Sequence, residues 1–146
     1  MFAVDTNVLV YAVDVRAPEH ERCLALVEGF RRQTLPWYLT WNVLYEFLRV
    51  VTHSRVFRNP WDTTRARGFL AALRASPTLE ILSASAKHGD VLEHTLTELP
   101  DLRGNLIHDL HTAVLLREHG VRRLYTRDTD FHRFPFLEIV DPLTAA

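Results

Sequence analysis

An apolar run that starts at Phe2 is cut by Asp5, Thr6 and Asn7, then resumes at Val8, Leu9, Val10 and Tyr11 with the spacing of a helix. A buried strand, a tight turn and a helix satisfy that pattern. In open parallel α/β sheets, ligands bind outside the carboxyl ends of the strands. A carboxylate directly after the first strand therefore faces the natural crevice, and Asp5 is a candidate site residue. The competing reading is that Asp5 or Thr6 only caps the helix that follows. This stretch alone leaves both open.

The rest of the chain repeats the alternation. Pro18 suits the first turn of a helix running to about Gln33, with Cys23, Leu24, Leu26, Val27 and Phe30 as its apolar face. Leu35 to Leu39 reads as the second strand, with Pro36 near its start. Thr40 caps a helix through Thr52 whose buried side is Val43, Leu44, Phe47, Leu48, Val50 and Val51. His53 to Asn59 is a loop, and Pro60-Trp61-Asp62-Thr63 opens a helix to about Ala75 that Pro77 ends. Leu79 to Leu82 is the third strand, followed by helices over Ser85 to Leu99 and Asn105 to His119. Gly120 suits a left-handed cap of the latter. Arg122 to Thr126 and Leu137 to Val140 complete five strands. Strands alternating with helices imply an α/β fold, a parallel sheet with helices on both faces. No repeat, low-complexity segment or long linker divides the chain, so residues 1–146 are expected to form one domain.

The single cysteine, Cys23, excludes an internal disulfide and any multi-cysteine metal site, and it fits a reducing compartment. Its apolar stripe marks it as core. Asp5 interrupts the N-terminal apolar run, and no stretch approaches the ~18 residues of a membrane span. A soluble, cytoplasmic protein without a membrane partner is expected. The net charge of −1 carries no basic signature, but 16 of the 17 basic residues are Arg, the side chain suited to forked contact with phosphate.

Acids recur at corresponding places: Asp5 after the first strand, Glu46 on the helix after the second, Asp109 on the helix before the fourth, and Asp128 with Asp130 after the fourth. Each has an ordinary explanation. Glu46 has Arg49 three residues on as a surface partner, Asp109 can face solvent, and Thr126-Arg127-Asp128-Thr129-Asp130-Phe131 has turn composition. Together they have another. Clustered carboxylates repel strongly at low effective dielectric, so they persist only with bound cations or raised pKa values. Hard oxygen ligands without cysteine suit Mg²⁺ or Mn²⁺. Two such ions about 3.5–4 Å apart promote in-line displacement at phosphorus. Setting these five aside leaves 13 acids against 17 bases, a mildly cationic body around an anionic hole.

Asp5-Thr6-Asn7, Glu46, Asp109 followed by Thr112-Ala113, and the segment from Thr126 to Phe131 resemble the PIN-domain ribonucleases, and within them the VapC-type toxins of toxin–antitoxin pairs. Arg49 to Phe57 also resembles a stretch that follows the Glu-bearing helix in that family. The resemblance spans nearly the whole chain. It implies a PIN-like three-layer sandwich with a five-stranded parallel sheet, an acidic Mg²⁺ or Mn²⁺ pocket, and endonucleolytic cleavage of RNA. Asp5, Glu46, Asp109 and Asp128 would be catalytic and metal-binding, with Asp130 close by or exchanging roles with Asp128. Asn7 and Thr126 would hold the pocket by hydrogen bonds. A homodimer and a cognate antitoxin partner are further implications.

Other residues carry weaker signals. His108 and His111 flank Asp109, but two histidines without a third ligand make a poor zinc site, and packing or hydrogen bonding is the plainer reading. Arg127 and Arg133 bracket the final acids as candidate phosphate contacts or ordinary surface arginines. Trp37, Trp41, Tyr45 and Trp61 offer base stacking, or core and dimer contacts. Two other function classes compete: a catalytically weak module that binds RNA or protein, and a phosphatase with an aspartyl nucleophile. The second expects an acid two residues after Asp5, where Asn7 stands.

Overall fold

A computed structural model describes residues 1–145. Five strands, β1 (Phe2–Val4), β2 (Trp37–Thr40), β3 (Leu79–Leu82), β4 (Arg123–Tyr125) and β5 (Glu138–Val140), pair in parallel in the order β3-β2-β1-β4-β5. Side chains alternate across a strand, and the two faces of the sheet carry two cores. Phe2, Val4, Trp37 and Leu39 pack under α1 (Thr6–Val13), α2 (His20–Arg32), α3 (Trp41–Thr52) and α4 (Thr63–Arg74). Ala3, Tyr38, Leu82 and Leu124 pack under α5 (His88–Glu98), α6 (Leu106–Glu118) and the 3-10 turn Thr129–Arg133. This is the three-layer α/β sandwich that the alternation implied.

Local chemistry sets the element ends. Thr40 accepts a hydrogen bond from Val43 N–H and starts α3, and Asp62 does the same for Arg65 N–H at α4. α6 ends at Gly120, whose φ of 71° is left-handed, with Val121 N–H donating to Leu116 O at 2.9 Å. The buried side chain of Glu118, which accepts from Ser85, and the pair of Arg117 with Glu98 tie α6 to the segment between β3 and α5 and to α5 itself. Several expectations shift, among them the start of the helix expected from Ser85, which begins at His88. β2 begins at Trp37 rather than Leu35, because Leu35 lies outside the ladder and is exposed. α2 begins at His20, two residues after Pro18. Leu24 is 39 % exposed and stands outside the core stripe that holds Cys23, Val27 and Phe30.

The strand order fixes where a site can form. From β1 the chain builds outward through β2 and β3, then returns to place β4 on the other side of β1. The crevice of an open α/β sheet lies at such a reversal, outside the carboxyl ends of the two strands. Asp5 follows β1 there and Thr126 follows β4, with Asp5 N–H bonded to Tyr125 O at 3.0 Å.

Candidate active site

Asp5 both caps α1 and lines a pocket. Its Oδ1 accepts from Thr6 N–H at 2.8 Å, and its Oδ2 accepts from Thr126 Oγ1 at 2.7 Å and from Asn7 Nδ2 at 3.1 Å. Asn7 Nδ2 also donates to Thr126 Oγ1, and Asn7 Oδ1 accepts from Arg127 N–H at 3.2 Å. Asp128 N–H donates to Thr126 Oγ1 at 2.9 Å. The loop after β4 is thus stitched to the loop after β1 through Asn7 and Thr126.

Asp5, Thr6, Asn7 and Asp128 line a pocket of about 790 Å³ that also takes in Asn42 and Glu46 from α3 and His108, Asp109 and His111 from α6. Asp109, Asp128 and Asp130 each offer a carboxylate oxygen, all within 4.8 Å of one another. Asp109 sits in the first turn of α6, where the helix dipole favours an anion. Asp128 caps the 3-10 turn and accepts from Asp130 N–H at 2.9 Å. Among the described residues, that tight group contains no histidine. Glu46 lines the same pocket outside the group, held by Arg49 through Nε at 2.9 Å and Nη2 at 2.6 Å.

The electrostatics follow from this crowding. Burial pushes the Asp5 carboxyl up to about 6 against the pull of its Thr126 and Thr6 hydrogen bonds, and the charges of Asp128 and Glu46 add to the rise. Burial, then the charges of Asp128, Asp5 and Asp130, carries Asp109 up to about 7. The Arg49 hydrogen bonds hold Glu46 below its ordinary range. Such mutual frustration is what a bound cation relieves. The donor set consists of hard oxygens, and the buried amide oxygen Asn42 Oδ1 has no hydrogen-bond partner. Carboxylates from α6 and the loop after β4 suit a divalent cation such as Mg²⁺ or Mn²⁺ by chemistry and by charge.

Asn42 was not singled out by the sequence. Its Nδ2 donates to Thr112 Oγ1 on α6, 70 positions away, and the signal available was its place one helical turn before Glu46, on the same face. Other candidates divide. The Arg127 guanidinium is engaged by Glu19 at 3.2 Å and Asp141 at 3.5 Å, so its charge is neutralised within the protein. Arg133 is exposed. Trp37 is wholly buried and Trp61 is 9 % exposed, whereas Trp41 and Tyr45 stand at 43 % and 71 %. Core packing therefore accounts for the first two. Cys23 is buried, and burial pushes its thiol up to about 11, away from a reactive thiolate.

Known proteins resemble this chain in sequence and fold. Residues 2–137 match the PIN domain family. Ribonuclease VapC33 of Mycobacterium tuberculosis is 32% identical over 146 residues, covering 98% of this chain and 99% of the relative. Among solved structures, VapBC2 from Rickettsia felis, bound to a DNA fragment from their promoter, superposes with a TM-score of 0.67 at 22% identity, covering 95% of this chain and 96% of that one. VapC20 of M. tuberculosis, a Sarcin-Ricin loop cleaving toxin, gives 0.67 at 20% identity over 97% of this chain and 100% of that one.

Proposed function

The chain belongs to the PIN domain family, and from that premise we propose that it is a metal-dependent endoribonuclease, the toxic component of a toxin–antitoxin pair acting in the cytoplasm as a single domain. The observation that carries the reading is the convergence of Asp5, Glu46, Asp109 and Asp128 on one pocket at the sheet reversal. The ribonuclease name of its relative supports the same chemistry.

In this reading Asp5, Asp109, Asp128 and Asp130 hold Mg²⁺ or Mn²⁺, with Glu46, paired to Arg49, at the margin. A bound cation supplies Lewis acidity and charge neutralisation at the scissile phosphate. The chain does the rest. Thr126 and Asn7 fix the Asp5 carboxylate, and Thr126 also fixes the backbone of Asp128, so the acids stay in place without reorganising as charge develops. Hydrolysis adds water across the bond: the water oxygen joins phosphorus, the bond to the departing ribose oxygen breaks, and a pocket carboxylate takes the water proton and returns it to that ribose oxygen. Arg133, exposed at the end of the 3-10 turn, is proposed to meet the RNA backbone. Arg127 is proposed to act from its ion pairs, orienting Asn7 through its own N–H.

A cognate antitoxin is the expected protein partner, supported by the likeness to VapBC2. A homodimer is supported by Trp41, Tyr45 and Ile107, exposed on α3 and α6 beside the pocket. The deciding experiment is cleavage of a mixed RNA pool by the purified protein with Mg²⁺, with Mn²⁺ and with chelator, beside Asp5→Asn. Metal-dependent cutting that the variant loses supports the nuclease. A folded, antitoxin-free protein that cuts nothing with either ion overturns it and leaves a binding module.

A further inference from the structure

A second, smaller cavity of about 120 Å³ lies between the C-terminal end of α1 and the segment joining α3 to α4, lined by Arg16, Arg58 and Arg65 with Asn59 and Trp61. We infer that this cavity is a subsite for one backbone phosphate of the RNA strand being cut, an inference that rests on the RNA reading above. Three features carry it. The first is charge. Among the described residues, none of the three guanidiniums is in an ion pair. Asp14 also lines the cavity, one acid against three arginines, and its Oδ1 accepts from Arg16 N–H; nearby Asp62 Oδ1 accepts from Arg65 N–H.

The second feature is preorganisation. The Arg65 guanidinium lies 4.4 Å from the centre of the Trp61 ring, a cation–π contact that holds the fork in place before an anion arrives. Trp61, 9 % exposed and packed against Phe47, Phe57 and Phe69, is a rigid floor rather than a platform for a base. The volume matches this. It falls well below the roughly 300 Å³ at which pockets begin to enclose whole small molecules, and it suits a compact tetrahedral anion.

The third feature is position. Helix α1 starts at Thr6 beside the catalytic carboxylates and ends at Val13 on the wall of the basic cavity. Its rise sets the two sites about 10 Å apart. Helix α3 runs alongside, with Glu46 and Val50 in the acidic pocket and Phe57, just beyond its end, at the basic one. A strand seated at the acids and following these helices passes over the arginines. The repulsion that an acidic pocket exerts on a polyanion is thereby offset next door.

The test is binding of labelled single-stranded RNA to the Asp5→Asn protein as a function of salt, compared with the same protein carrying Arg16→Ala and Arg58→Ala, and separately Arg65→Gln. Each lost phosphate contact is expected to lower the slope of log affinity against log salt by about 0.7, with affinity about tenfold weaker. In the background with Asp5 intact, Arg16→Ala with Arg58→Ala is expected to raise KM and leave kcat unchanged, the signature of uniform binding. Arg58→Lys, which keeps the charge, is expected to retain most of the slope. A wild type that cuts RNA while folded arginine variants keep affinity, slope and KM overturns this inference alone. A wild type that neither cuts nor binds RNA overturns the parent reading with it. Arginine variants impaired only in binding an antitoxin would assign the cavity to protein contact and likewise overturn it.

Discussion

The two oxygens of Asp5 have different partners, one closing the cap of α1 and the other held by Thr126 and Asn7 at the pocket, so capping and a place in the pocket are not alternatives at this position. Asp5→Asn keeps the shape and removes a charge that is costly when buried. Metal-dependent cleavage is expected to fall by at least about a hundredfold, in line with loss of one preorganised electrostatic group. The metal-free unfolding midpoint at pH 8 should be no lower than that of the wild type, as calorimetry can check. Asp128 and Asp130 differ in fixation. Asp128 is half-buried, anchored through its N–H to Thr126, and accepts from Asp130 N–H, whereas Asp130 is exposed. Asp128→Asn is therefore expected to weaken Mn²⁺ binding, followed by titration calorimetry, more than Asp130→Asn does; the reverse order would exchange their roles. Asp5, Asp128 and Asp130 were legible because each follows a strand, and Glu46 because it sits on the strongly patterned α3; Asp109, on a helix buried on most of its sides, was legible only as one of the set. Asn42 was not, because its partner Thr112 is remote in sequence and an Asn on a helix has no chemistry until a pocket forms around it.

Helix caps and strand order turn those residues into one site. α6 carries Asp109 at its start and must stop in time for β4 to deliver Thr126 beside Asp5, and Gly120 at φ 71° makes that stop. No heavy atom crowds the space a Cβ would take there, so Gly120→Ala tests the left-handed backbone alone. It is expected to cost about 1–3 kcal/mol, read from urea unfolding. On α3, the Glu46–Arg49 pair is exposed and one turn apart, a geometry that contributes at most about 1 kcal/mol to stability. Arg49→Ala should leave the melting temperature nearly unchanged and tighten Mn²⁺ binding by freeing Glu46. The elements themselves were readable wherever a cap or a left-handed glycine marked an end: Thr40, Asp62 and Gly120 each stand where the pattern put them. The start of β2 was misplaced because Leu35 and Trp37 are equally apolar, and only the register Trp37 to Leu79 decides which one joins the sheet.

At the scale of the whole molecule, the site makes stability depend on pH and on metal together. Asp5 and Asp109 titrate at about 6 and about 7 in the folded chain, against an ordinary 3.8. The folded protein thus retains protons that the unfolded chain has lost between those values. Linkage then gives the sign: the contribution of these two carboxyls is full below about pH 4, falls as pH rises through 6 and 7, and is flat beyond. For the fully buried Asp5 the loss is on the order of 3 kcal/mol. A divalent cation reverses this, because it binds the ionised carboxylates and competes with their protons. At a free concentration a hundredfold above its dissociation constant it returns about 2.7 kcal/mol. Without metal, the unfolding midpoint is therefore expected to be higher at pH 5 than at pH 8. Mn²⁺ should raise it strongly at pH 8 and little at pH 5, and Asp109→Asn should flatten both responses. A metal-free midpoint that climbs from pH 5 to pH 8, with no added response to Mn²⁺, would mean that the acids are already paired within the protein and that the pocket is not built around a cation.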